Sequence, residues 1–298
     1  MEELLKVKEQ ILEFVNEIGD EKSSELFGHL AQGKMLRSKL ILKIAGVNTE
    51  SVKLCAVVEM IHAASLLHDD VIDDADTRRG KPSVNALYDN KTSIMFGDIL
   101  YSKAFTELTQ MNKKIAYNIA NAVTLLSVGE LLDVELTNTF NTSYDKYLDM
   151  IYKKTASLIE ASAASAAILA GLDENKYALY GKNLGLAFQM IDDILDITQD
   201  SSTLGKPAML DFVEGKVTIP YLLLHDRLED KLKLESLYKK NLSSEESSWI
   251  KTQMAETNAL EDSINQAKNL GIEAIKSVQD ENNEALVQIM QAMIEREF

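Results

Sequence analysis

Residues 61–74 read IHAASLLHDDVIDD, and residues 185–196 read GLAFQMIDDILD. Each is an apolar run at helical spacing that ends in aspartates at i, i+1 and i+4: Asp69, Asp70 and Asp73 in the first, Asp192, Asp193 and Asp196 in the second. At that spacing the first and last carboxylates share one helix face, a turn apart. Asp is a poor helix former, like charges one turn apart repel, and burial beside an apolar face adds to the cost. A hard cation offsets all three, and Mg²⁺ takes oxygen ligands from one or two carboxylates together with substrate phosphates. An acidic solvent-facing stripe would explain one such stretch in an acidic chain. Two copies embedded in apolar helices point to metal binding. Neither has the Gly and terminal Glu of an EF-hand loop, and no Cys/His set suits zinc.

The same three- and four-residue spacing of apolar positions continues almost from end to end, which predicts helices over 2–18, 35–46, 50–74, 92–110, 112–137, 144–170, 174–199, 217–239, 245–256, 258–277 and 280–296. Thr142 with Asp145, and Ser243 with Glu246, have capping-box spacing ahead of two of these. Breaks fall at Gly80-Lys81-Pro82, at Gly171-Leu172-Asp173 and from Ser201 to Pro207. Nothing alternates as a sheet strand would, and no linker interrupts the pattern. The expectation is one all-α domain over 1–298. The Ala- and Ser-rich stretch 156–170, ASLIEASAASAAILA, predicts close helix packing.

The chain carries 47 acidic and 31 basic residues, a net charge of −16. Such a field disfavours nucleic acid and anionic membranes as partners, and it also repels anionic substrates. A diphosphate site therefore has to be built locally from metal ions and a few basic side chains. One cysteine, Cys55, excludes a disulfide framework and suits a reducing, cytoplasmic compartment. The opening MEELLKVKEQ lacks signal-peptide character, and no uninterrupted apolar run reaches the length of a membrane span.

The basic candidates are Lys34 and Arg37, Arg78 and Arg79 directly after the first aspartates, Lys154, Lys206 and Lys216. Arginine grips phosphate oxygens in a fork, and lysine supplies a point charge. His62 sits on the apolar helix, seven residues before Asp69. Taken alone, a histidine there is more often a core residue, and single lysines and arginines are more often solvated.

Taken together these stretches resemble the trans-isoprenyl diphosphate synthases. The matching segments are GKMLRSKL (33–40), IHAASLLHDDVIDDADTRRGKPS (61–83), GDILYSKAF (97–105), KTASLI (154–159), GLAFQMIDDILD (185–196) and GKPAMLDFVEGKVTIP (205–220). The resemblance implies a single-domain helical bundle around a deep central cavity, the isoprenoid synthase-type fold, in a homodimer. It implies a transferase, a prenyltransferase of isoprenoid biosynthesis, adding isopentenyl diphosphate to an allylic diphosphate. It assigns Asp69, Asp70, Asp73 and Asp192 to a cluster of about three Mg²⁺ ions, with Asp193 and Asp196 as its outer members. It places Arg78, Lys154, Lys206 and Lys216 on the allylic diphosphate, and Lys34, Arg37, His62 and Arg79 on isopentenyl diphosphate. Gln189 and Thr155 match positions near the reacting carbons. Outside the matched segments, the C-terminal stretch 228–298 offers one candidate, Arg296, expected to close over the site. Family members usually carry proline where this chain has Ser38, which leaves both neighbouring charges in place.

In such a cavity the side chains four and five residues before Asp69 would form the floor. They are Ser65 and Ala64, both small. A growing tail could pass at least one further turn, about 5.4 Å, toward Ile61, Met60 and Val57, with Ile119, Val123 and Leu126 as the facing wall. Ala64 and GDILYSKAF resemble long-chain enzymes of the octaprenyl type, which supply quinone side chains, with farnesyl diphosphate as starter. Geranylgeranyl diphosphate synthase stays open as the alternative. A non-catalytic subunit of a heteromeric synthase should have lost carboxylates, and a terpene cyclase needs no isopentenyl diphosphate site. Both are more distant readings.

Overall fold

The computed structural model describes residues 2–31, 33–199 and 209–294. Its helices are α1 (Glu2–Asn16), α2 (Glu21–His29), α3 (Leu36–Ala45), α4 (Thr49–Ile72), α5 (Val84–Leu87), α6 (Asn90–Leu108), α7 (Lys113–Leu136), α8 (Tyr144–Ile151), α9 (Ser157–Ala170), α10 (Glu174–Thr198), α11 (Leu210–Glu214), α12 (Ile219–Arg227), α13 (Lys231–Leu237), α14 (Ser244–Glu256), α15 (Ala259–Ser277) and α16 (Glu284–Ile294). The only strands among the described residues are a two-residue ribbon, β1 (Thr77–Arg78) and β2 (Lys81–Pro82). The expected all-α class is what the chain adopts.

The chain divides into two compact units, residues 1–123 with 161–178, and residues 124–160 with 179–298. In the first, α4 is the spine. Asn48 and Ser51 close a capping box at its start, satisfying amides that a helix N-terminus would otherwise leave open. Helix α6 packs along α4, and α3 and α1 lie against it. Leu54, Met60, Ile61, Phe96 and Leu100 are fully or almost fully buried there, each contributing roughly 1.5–3 kcal/mol of apolar burial. Ser93 in the first turn of α6 donates to the Leu67 carbonyl at 2.9 Å, stitching the start of α6 to the C-terminal part of α4. Val57, Met60, Ile61, Ala64 and Ser65 line one buried stretch of α4.

In the second unit α12 packs against α15 and touches α8, α13 and α14, and α16 lies on α15. Gly271 permits that last contact, since a Cβ there would stand 2.2 Å from Ile294 Cδ1. An aromatic group of Phe140, Phe212, Tyr221 and Tyr238 fills the space beside α12, with Phe212 and Tyr221 stacked at 4.3 Å.

Several boundaries differ from expectation. The run 217–239 is two helices, because the chain turns extended at Leu228 (ψ 138°) and restarts at Lys231. The last predicted helix begins as a 3₁₀ turn, Gln279–Glu281, and Asn282 takes a left-handed φ of 51° before α16 starts. Helices α2, α5 and α11 arise where none was predicted. The capping box at Ser243 and Glu246 forms, but the cap of α8 is Ser143, which accepts from the Lys146 amide, one residue beyond the Thr142–Asp145 pair. By length and hydropathy α4 and α7 would each pass as a membrane span. Two-thirds of the α4 window is buried in protein and only 39% of the α7 window, where Val128, Leu131 and Val134 are exposed.

Candidate active site

In the first unit, Asp69 and Asp70 occupy the last turn of α4, and Asp73 is its C-cap, with its amide still bonded to the Asp69 carbonyl at 2.8 Å. The one-turn spacing of the first and third carboxylates therefore survives the helix end. Asp70 is buried while Asp69 is half-buried and Asp73 exposed. Burial pushes the Asp70 carboxyl above its ordinary range and Asp73 adds to the rise, while Arg78 opposes it through an ion pair from Nε at 2.6 Å.

Arg78 reaches Asp70 from β1. Its strand partner is Lys81, and the two residues between, Arg79 and Gly80, have φ of 53° and 72°. This is the geometry of a two-residue type I′ hairpin, whose second position suits glycine. The hairpin fixes two adjacent arginines in different directions. Arg79 donates from Nη1 to the Ala31 carbonyl at 3.2 Å and lies against Gly33, where a Cβ would stand 2.6 Å from that nitrogen. An open pocket lined by Leu30, Ala63, Leu67, Pro82 and Val84 adjoins Asp70 and Arg78.

Arg37, His62, Arg78 and Arg79 act on one another electrostatically. Burial holds His62 well below the ordinary histidine range, and Arg37, Arg79 and Arg78 push it further the same way. The imidazole is neutral at pH 7 and can offer one donor and one acceptor. Burial also lowers Arg37 and Arg79, with Glu59 working against it. The buried Nε of Arg37 has no hydrogen-bond partner. Lys34 is exposed two residues ahead of α3. His68, by contrast, is a packing residue: its Nε2 meets the Ile94 carbonyl at 3.1 Å and its ring rests on Gly97 and Tyr101.

In the second unit the helix predicted over 144–170 is interrupted by one π-helical turn, Tyr152–Ala156, which carries Lys154 and Thr155. Such turns concentrate at functional sites because they re-aim side chains. Two glycines make room for it. A Cβ on Gly129 would stand 2.2 Å from the Lys154 backbone nitrogen, and one on Gly185 would stand 2.5 Å from Ala156 Cα. Lys154 Nζ lies 2.6 Å from Asp133 and 2.9 Å from Glu130, two buried acids of α7. Burial works against its charge, but Asp133 and Glu130 outweigh it and hold the ammonium above the ordinary lysine range.

Thr155 Oγ1 donates to Gln189 Oε1 at 2.8 Å, Gln189 Nε2 donates to Asp193 Oδ1 at 2.9 Å, and the Tyr147 hydroxyl donates to Asp193 Oδ2 at 2.7 Å. Both oxygens of Asp193 are thus engaged by protein. Burial and Asp211 raise the Asp193 carboxyl well above its usual range, and the two hydrogen bonds pull it back. Asp196 is buried and accepts the Asp211 amide at 3.2 Å. Asp192 is the half-buried member of the trio. Lys216 pairs with Glu214 at 3.0 Å. Lys206 and Arg296 lie outside the described residues.

Among the described residues no three His, Cys, Asp or Glu side chains converge into a ready-made metal cage. Mg²⁺ does not require one, because it keeps waters and takes phosphate oxygens beside one or two carboxylates. The donors suit it. Asp69, Asp73 and Asp192 are the more accessible carboxylates of their clusters, all hard oxygen ligands.

Glu130, Asp133, Tyr147, Gly129 and Gly185 were not singled out from sequence. The carboxylates at i and i+3 in the Leu-rich stretch TLLSVGELLDVEL, which also carries Glu135, were the available signal for the first two. Tyr147 offered none.

A family model described as polyprenyl synthetase matches residues 21–256. A prenyl transferase from Cyanidium caldarium is 36% identical over 99% of this chain and 96% of its own length. An octaprenyl diphosphate synthase from Haemophilus influenzae is 33% identical over 84% of this chain and 79% of its own. The crystal structure of octaprenyl pyrophosphate synthase from Helicobacter pylori superposes with a TM-score of 0.94 at 43% identity, covering 99% of both chains.

Proposed function

The chain belongs to the polyprenyl synthetase family, and from that premise we propose that it is a Mg²⁺-dependent prenyltransferase working as one domain over 1–298. It extends an allylic diphosphate, starting from farnesyl diphosphate, with isopentenyl units to a long all-trans polyprenyl diphosphate of the octaprenyl class, for quinone side chains. The observation that carries this reading is the retention of two complete aspartate clusters together with the Arg37, His62, Arg79 group and the buried Lys154. A silent subunit or a cyclase would have no use for all of them.

The residue types follow from the reaction. Breaking the allylic C–O bond leaves a diphosphate anion and a delocalised carbocation. When bound, Mg²⁺ would be held by Asp69, Asp70, Asp73 and Asp192 and would supply positive charge to the leaving group. Arg78, Lys154, Lys206 and Lys216 add positive charge, of which Lys154 is preorganised by Asp133 and Glu130 before any substrate arrives. Lys34, Arg37, His62 and Arg79 hold isopentenyl diphosphate. Gln189, anchored by Thr155 and Asp193, presents a fixed amide near the reacting carbons. The new carbon–carbon bond forms between the cation and the isopentenyl double bond, and the departing diphosphate takes the proton.

Ala64, Ser65, Ile61 and Met60 carry no bulky aromatic side chain, which supports a long product. The exposed apolar face of α7, with Val128 and Leu131, supports a homodimer, and the single buried thiol of Cys55 supports a cytoplasmic location. Incubation with labelled isopentenyl diphosphate, farnesyl diphosphate and Mg²⁺, followed by product sizing, tests the reading. A single octaprenyl product upholds it, a product stopping at geranylgeranyl diphosphate assigns the shorter class, and no condensation removes the proposal.

A further inference from the structure

We infer that Ser38 sets how tightly the Arg37, His62 and Arg79 group binds its diphosphate, by holding the Glu59 carboxylate away from Arg37. The inference rests on reading that group as the isopentenyl diphosphate site.

Helix α3 starts at Leu36 after Met35, which has a left-handed φ of 50° and offers no side-chain cap. The cap comes from another helix. Ser38, fully buried in the first turn of α3, donates its hydroxyl to Glu59 Oε1 at 2.7 Å and its backbone amide to the same oxygen at 3.3 Å. Glu59 lies on α4, three residues before His62. Its negative charge acts on both Arg37 and Arg79. Yet the buried Nε of Arg37 has no hydrogen-bond partner, while one Glu59 oxygen takes two donors from Ser38.

A carboxylate beside a guanidinium ordinarily closes on it as a forked pair. A diphosphate would then have to displace it. Ser38 supplies the alternative, so Arg37 Nε stays unpaired for an incoming anion. Proline at this position would have neither a hydroxyl nor an amide hydrogen to offer. Ser38 is therefore a positioning residue, acting through Glu59 and touching no substrate.

The test is steady-state kinetics on the full chain with each substrate varied in turn. Ser38→Ala should raise KM for isopentenyl diphosphate roughly tenfold, the scale of one lost hydrogen bond to a charged group, while KM for the allylic substrate and kcat stay within about twofold. Glu59→Gln, which keeps the acceptor oxygen and removes the charge, should lower the isopentenyl KM severalfold on its own and restore it in the Ser38→Ala background. An unchanged isopentenyl KM in Ser38→Ala overturns the inference, as does a parallel rise in both KM values. So does a higher KM in Glu59→Gln or a double variant as weak as the single. If the unmodified chain condenses nothing, the underlying reading fails instead.

Discussion

The buried hydroxyl of Tyr147 donates to Asp193 Oδ2 at 2.7 Å, so a helix outside the aspartate motif holds one of its carboxylates in place. With Gln189 on the other oxygen, Asp193 is fixed by protein, and its neighbour Asp192 is the accessible one. Tyr147→Phe leaves a buried carboxylate oxygen without its donor, at a cost of about 1–3 kcal/mol. The variant should melt lower and need more Mg²⁺ for half-maximal rate, with the isopentenyl KM unchanged. A Mg²⁺ titration equal to that of the parent would contradict the positioning role.

Gly129 is the seat of the π turn. A Cβ there would meet the Lys154 backbone nitrogen at 2.2 Å, and backbone cannot yield as a flexible side-chain tip can. Gly129→Ala should therefore displace Lys154 and lower kcat by roughly a hundredfold, because small misplacements of a positioned group carry costs of that size. Circular dichroism on the same sample should still show a helical protein. Full activity in Gly129→Ala would mean the turn is dispensable.

His62 makes stability depend on pH in a definite direction. Its folded pKa lies well below 6.5, its unfolded value, so the unfolded chain binds the extra proton first. The contribution is complete above about pH 6.5 and is lost as pH falls from there toward the folded pKa, with a slope of up to about 1.4 kcal/mol per pH unit. Urea denaturation at pH 7.5 and 5.5 should show a steeper decline for the parent than for His62→Gln. Equal slopes would place the imidazole in water.

Product length should answer to α4. Ala64 is completely buried, and a phenol ring in its place would obstruct the path of a growing tail in the proposed reaction. Ala64→Tyr should shorten the product while the first condensations continue, as read by chromatography of the dephosphorylated alcohols. Unchanged length would assign Ala64 to close packing alone.

How much was legible depended on whether the signal was local. The aspartate helices could be read because Asp69 to Asp73 and Asp192 to Asp196 contradict their apolar surroundings, and a contradiction within one helix is visible in one dimension. Helix α2 was missed although Asp20 caps it through the Ser23 amide, since its nine residues EKSSELFGH carry only two large apolar side chains, the adjacent Leu26 and Phe27. The π turn was invisible because KKTASLIE suits an ordinary helix, and what makes room for the turn is the absence of side chains at Gly129 and Gly185, both far away in sequence. The hairpin was masked by reading Gly80-Lys81-Pro82 as a simple break, although Arg79-Gly80 is an acceptable type I′ pair. The charge partners Glu130, Asp133 and Glu59 are tertiary facts: each meets its partner across about twenty residues of sequence.

The most direct measurement is a double-mutant cycle on Asp69 and Asp192. If both clusters serve the same diphosphate, Asp69→Ala and Asp192→Ala should each lower kcat/KM with Mg²⁺ by roughly a thousandfold or more, and the double variant should be little worse than either, as for residues that act as one unit. Near-normal turnover in either single variant, or losses that multiply in the double, would contradict it.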